Sequence, residues 1–159
     1  METQDTQGNF PSTPLHLTYW NCRGRTQHVR YVLEAIEVPY EETRYEISQY
    51  QDWIDKDKPE LEGTLALPNL PHLKDGDVHI TEHDAIMRYL ARKYKPEMLG
   101  RNDKEYALME NYLCYITKFY MKLGEFCYYT DPTEENRLKH IESLHSEMSK
   151  FDKIFQESY

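Results

Sequence analysis

Between Leu65 and Lys93 the chain (LALPNLPHLKDGDVHITEHDAIMRYLARK) must pass two prolines, reverse direction and start a helix. Few folds accept that order. Leu70-Pro71 is an X-Pro bond, the only common kind of cis site, and tight turns favour it. His72-Leu73-Lys74 and Val78-His79-Ile80 flank an Asp75-Gly76 turn and predict a β-hairpin. Thr81 lies three residues before Asp84 and just ahead of Ala85-Ile86, the pattern of a helix N-cap with an acidic third residue. A helix start beside a kinked loop leaves backbone N–H groups pointing outward, where an anion can sit.

The chain on either side extends this reading. Leu15-His16-Leu17-Thr18-Tyr19-Trp20 alternates and predicts a first strand. Residues 25–36 carry Val29, Val32, Leu33 and Ile36 at helical spacing, and Pro39 ends that helix. Residues 42–47 predict a second strand. Residues 49–58 are polar around one anchor, Trp53, and predict a short irregular helix broken over 59–63. A crossover helix between two strands implies parallel pairing, and the hairpin adds an antiparallel edge. The result is a small four-stranded α/β layer. After a linker at 94–101, Asn102 is expected to cap a long helix reaching about Tyr128. Asp131-Pro132-Thr133-Glu134 predicts a second start with Asp131 as cap. Leu138, Ile141, Leu144, Met148, Phe151 and Phe155 form a near-heptad stripe on the last helix. The 102–128 helix shows more apolar surface than one partner helix covers. A protein partner is therefore expected on its exposed face.

Charge and cysteine content narrow the function. The 159 residues carry a formal net charge of -9, which argues against a nucleic-acid binder. No apolar run is long enough to span a bilayer. Cys22, Cys114 and Cys127 show neither a CxxC pair nor metal spacing. The polar arm 1–14 resembles neither a secretory signal nor a presequence, and it is expected to dock on a partner. An intracellular, reducing compartment follows, with the cytoplasm expected first and an organelle or cytoskeletal assembly as alternatives. His79 and His83 straddle a strand end and a helix start, so no metal site is expected. His140 and His145 are expected to be solvated. Fourteen tyrosines make any one of them weak evidence of chemistry unless its position is special.

From Leu15 to about Gln156 these segments together resemble a cytosolic glutathione transferase of the mu/sigma branch. LTYWNCRGRTQHVRYVLEA is similar to the family's first strand and helix, and LPNLPHLKDGDVHITEHDAIMRYLARK to its glutathione-site core. The resemblance implies an α/β thioredoxin-like, glutathione-site domain over 15–94. It also implies a partial all-α domain over 102–159, a helix hairpin without the family's last helices. Glutathione is the implied ligand, and a homodimer through the long helices is one implied assembly. The family's catalytic tyrosine matches Tyr19, whose O–H would favour the glutathione thiolate. Trp20 and Trp53 match aromatic site positions. Asn69-Leu70-Pro71 matches the cis-proline loop, where the Leu70 backbone pairs with the tripeptide like an added strand. Glu82 and His83 match the polar pair at the γ-glutamyl end.

The sequence departs from the family at four points. The polar pair is usually Gln-Ser or Glu-Ser, and here it is Glu82-His83. Tyr50 stands where a basic residue is usual. The segment from the second strand to Trp53 is short, and the later helices have no counterpart. These departures favour a non-catalytic accessory subunit of a larger assembly with a degenerate glutathione site. The alternative is an active transferase conjugating glutathione to small electrophiles. A thiol–disulfide oxidoreductase built on Cys22 carries little weight, since no second cysteine is near it.

Overall fold

The computed structural model describes residues 13–157, and the chain divides into two compact units between Asn102 and Asp103. Residues 1–12 of the expected N-terminal arm, and any docking by it, lie outside the described residues.

The first unit is a mixed sheet of order β2-β1-β3-β4. β1 (Leu15–Trp20) runs parallel to β2 (Tyr40–Tyr45), with Leu15 opposite Tyr40. α1 (Thr26–Ile36) is the crossover that parallel pairing demands. β3 (His72–Asp75) and β4 (Val78–Thr81) form the hairpin, and β3 runs antiparallel to β1. α4 (His83–Tyr94) follows. Alternation along β1 sends Leu15 and Leu17 to one face, where both are fully buried. There they meet Val29 and Leu33 of α1, Leu73 of β3, and Ile86 and Leu90 of α4. Removing any one of these leucines would cost about 2–5 kcal/mol.

Three boundaries differ from the sequence reading. β2 begins at Tyr40, because α1 stops at Glu37 in the left-handed region (φ 57°) and Val38 turns straight into the core. Residues 47–62 are helical throughout, changing type along their length. A 3₁₀ turn (Ile47–Gln49) leads into α2 (Tyr50–Asp52), a π turn (Trp53–Asp57) and α3 (Lys58–Glu62). Pro59 does not break the run. The widened turn, with Lys58 N–H on the Trp53 carbonyl, puts Pro59 in the first turn of α3, where a missing N–H costs little. The 94–101 linker contains a 3₁₀ turn at Pro96–Leu99.

The second unit holds α5 (Asp103–Tyr129) and α6 (Glu134–Glu157). Thr133, not Asp131, caps α6: its hydroxyl accepts the Asn136 N–H at 3.2 Å. Asp131 instead offers its backbone carbonyl to the Thr133 N–H and the Asn136 side chain. Phe151 sets its ring edge-on to Tyr115 and Phe119, 5.6 and 5.3 Å away. His140 is not solvated as expected. Its ring lies flat on Phe126 at 3.8 Å, and its Nε2 is buried. No α5 residue is buried, and Met121, Tyr128, Tyr129 and Phe155 stand exposed.

Candidate functional site

Tyr19, Trp53 and Leu70 come from three separate elements and meet as one buried cluster. β1 delivers Tyr19, which is 8% exposed, and its hydroxyl oxygen accepts the Arg25 N–H at 3.2 Å. The turn carrying Arg25 is tight. Gly24 sits at φ +40°, and a Cβ there would lie 2.6 Å from the Tyr19 oxygen. Only glycine lets the loop close over the phenol. Trp53 is placed by the π turn. Tyr45 donates to Asp57 at 2.6 Å and so ties that turn to β2. Burial, then the Asp57 hydrogen bond, push the Tyr45 hydroxyl well above its ordinary range.

Trp20 is half-buried, packs against this cluster and stacks on Tyr50 with centroids 6.0 Å apart. Tyr50, at the position expected to be basic, thus contributes a ring and no charge. The Leu70-Pro71 bond is cis. The loop before it is held at two points: Asn69 Nδ2 donates to Glu82 Oε1 at 3.2 Å, and the Thr81 hydroxyl donates to the Leu67 carbonyl at 3.1 Å.

The start of α4 corrects the expected cap. Thr81 is the last residue of β4, and Glu82 is the N-cap. Glu82 sits at φ 67°, rare for a residue with a Cβ, and no side chain caps the helix. Backbone N–H groups point outward at a helix start, which suits a carboxylate. His83 turns inward. It is 8% exposed, its ring lies 5.8 Å from that of His28, its Nε2 is 3.3 Å from Asp84, and its buried Nδ1 has no partner. Burial depresses the affinity of both imidazoles for a proton, and for His28 the neighbouring His83 adds to this.

The structure thus groups Tyr19 with Trp53 and Leu70, and Asn69 with Glu82. His83 packs beside His28 of α1. Sequence reasoning missed Gly24, the Arg25 amide and His28. The Gly between a strand and a helix was the available clue, whereas nothing in the spacing pairs His28 with a residue far along the chain. Among the described residues no group of three or more His, Cys, Asp or Glu side chains could hold a metal ion, and no helix is long and apolar enough to cross a membrane.

Residues 15–92 match the family described as Glutathione S-transferase, N-terminal domain. Glutathione S-transferase Mu 5 of Mus musculus is 35% identical over 148 residues, covering 88% of this chain and 62% of its own. Glutathione S-transferase 2 of Gallus gallus is 36% identical over 117 residues, covering 72% and 52%. Among solved structures, a Fasciola hepatica sigma class GST superposes with TM-score 0.68 at 25% identity, covering 85% of this chain and 62% of its own. The chain belongs to the glutathione S-transferase family. Its relatives by name are largely mu class, and it spans roughly half to two thirds of their length.

Proposed function

We propose that the first unit binds glutathione, with the tripeptide lying along the Leu70-Pro71 loop and its γ-glutamyl end at the start of α4. The observation that carries this reading is the Tyr19 hydroxyl, fixed by the Arg25 amide in a cluster with Trp53 and Leu70. In that position the phenol supports hydrogen bonding to a bound thiol, and a hydrogen bond to sulfur favours thiolate, the nucleophile. The backbone at Leu70, just before β3, would pair with the peptide as an added strand. Glu82 would meet the γ-glutamyl ammonium, and the N–H groups at the start of α4 its carboxylate. His83 brings an imidazole rather than a hydroxyl to this position, and its ring packs beside His28 of α1. Catalytic conjugation of glutathione to an electrophile is the activity this site would serve. The full chain should be retained on immobilised glutathione and eluted by free glutathione. Tyr19→Phe should keep retention and lose most conjugation of a chromogenic electrophile. Absence of retention would remove the reading.

A second reading, a non-catalytic accessory subunit, draws on a different observation. Tyr128 and Tyr129 at the end of α5 are 77% and 87% exposed, and Met121 and Phe155 are also open. Such residues on two amphipathic helices suit a protein partner. This reading expects glutathione retention without turnover, and co-purification with one stoichiometric partner. A stable, fully active isolated chain would argue against it.

A further inference from the structure

A second concavity, of about 530 Å³, opens between the loop after β1, the outer side of α1 and β2. None of its lining residues belongs to the group of Tyr19, Leu70 and Glu82. Its chemistry is unlike the rest of the chain. The protein carries a net charge of -9 and eight arginines, yet Arg23, Arg30 and Arg44 all line this one cleft.

The three arginines play different parts. Arg30 is built in. It is 8% exposed, it grips Glu42 through Nε and Nη2 at 2.9 and 2.5 Å, and its Nη1 donates to the Cys22 carbonyl at 3.0 Å. Arg44 holds the other Glu42 oxygen through Nε and Nη2 at 2.9 and 2.6 Å, leaving Nη1 directed elsewhere. One carboxylate thus serves two guanidinium groups, and a positive charge is left over at the cleft wall. Burial would raise the Glu42 carboxyl, but the hydrogen bonds and charges of Arg30 and Arg44 hold it below its ordinary range, so the arrangement persists across neutral pH. Arg23 is exposed at the rim and has no ion pair among the described residues. Tyr31, 64% exposed, and Tyr40 add phenol rings to the walls.

We propose that this cleft binds a small organic phosphomonoester, preferably an aryl phosphate. Arg23 and the uncommitted Nη1 of Arg44 supply donors to the phosphate oxygens, in the charge-assisted geometry guanidinium groups favour. The volume leaves room for an organic group, flanked by Tyr31 and Tyr40. Glu34 also lines the cleft and repels a second anionic group, which limits the ligand to one phosphate. The loop that carries Arg23 also carries Gly24 and Arg25, the two residues against the Tyr19 hydroxyl. Occupancy would therefore bear on that hydroxyl.

The test titrates the full chain with phenyl phosphate, inorganic phosphate and sodium chloride at matched ionic strength, following tryptophan fluorescence, since Trp20 adjoins Asn21 of the cleft. Phenyl phosphate should give a saturable change, tighter than inorganic phosphate, and chloride none. Arg23→Ala should weaken phenyl phosphate about tenfold, as expected for one charged hydrogen bond. Tyr31→Phe, also at the surface, should weaken it less. Both should keep the wild-type melting temperature, whereas Arg44→Ala disturbs Glu42 and is not the deciding variant. A non-saturable response, equal action by chloride, or unchanged affinity in Arg23→Ala would each overturn the proposal. Retention on immobilised glutathione is read separately, so the two sites fail independently.

Discussion

The β3–β4 hairpin and α4 form one module whose two ends are built differently. At the turn end, the buried Asp75 carboxylate accepts from Tyr89, Tyr94 and Lys93 at 2.8, 2.9 and 2.5 Å. Those donors come from the last turns of α4, so one oxygen locks hairpin to helix. At the other end Glu82 holds a left-handed φ, no side chain caps the helix, and His83 keeps a buried nitrogen unpaired. The first end satisfies its polar groups, and the second leaves them open. Strain and unsatisfied groups persist where the surroundings hold them in place, and such places gather at binding sites. The saturated end is what makes the open end affordable.

The largest effect should come from breaking the saturated end. Asp75→Ala strands an ammonium and two hydroxyls, and should cost about 3 kcal/mol in urea unfolding. A cost below about 1 kcal/mol would show that the two ends do not differ in kind. The same strand offers a pH test. His72 Nε2 meets His79 Nδ1 at 3.1 Å, and burial, then the neighbouring histidines, hold His72 at about 4 against an ordinary 6.5. The folded state therefore binds fewer protons than the unfolded chain between those values. Stability from this group is complete above pH 6.5 and is lost as pH falls toward 4, by about 3 kcal/mol at most. His72→Gln should flatten that slope in chemical denaturation run from pH 7 to pH 4.5, and an unchanged slope would assign it to other groups.

Much of this module was legible because its signals are local. The X-Pro bond, the Gly76 turn and the alternation of β1 each sit within a few residues, whereas the pairing of β3 with β1 that sets the sheet order is non-local. The fold family came from the same stretch. What escaped was non-local or rested on competing rules. Asp75 finds its donors 14 to 19 residues away on α4, which no window shows. Thr81 fits a cap pattern, yet its hydroxyl is taken by Leu67, and the strand runs one residue further. Asp131 fits one too, but Thr133 lies closer to the first helical N–H groups. Pro59 has the pattern of a breaker, because a π turn has no simple sequence signature. At the site, the contact of His83 with His28 is set by tertiary packing, which no local pattern shows.

Smaller effects probe the open end directly. Gly24→Ala places a Cβ against the Tyr19 oxygen, so loop and phenol must part. Stability should fall by about 1–2 kcal/mol, and conjugation or glutathione retention by more than that loss explains. Equal retention at reduced stability would separate the loop from the site. Glu82→Gly is the finest test, because it relieves the backbone strain and removes the carboxylate in one change. Glycine accepts φ 67° without a Cβ penalty, so the variant should gain about 1 kcal/mol in unfolding. It also removes the carboxylate that accepts from Asn69 and that would meet a γ-glutamyl ammonium. Glutathione binding should therefore weaken as stability rises. The control is Asn69→Ala, which frees Glu82 but leaves its backbone strained. It should weaken binding with no gain in stability. If Glu82→Gly were less stable than wild type, the left-handed residue would be held by favourable contacts rather than imposed by the site, and the two ends of the module would be alike.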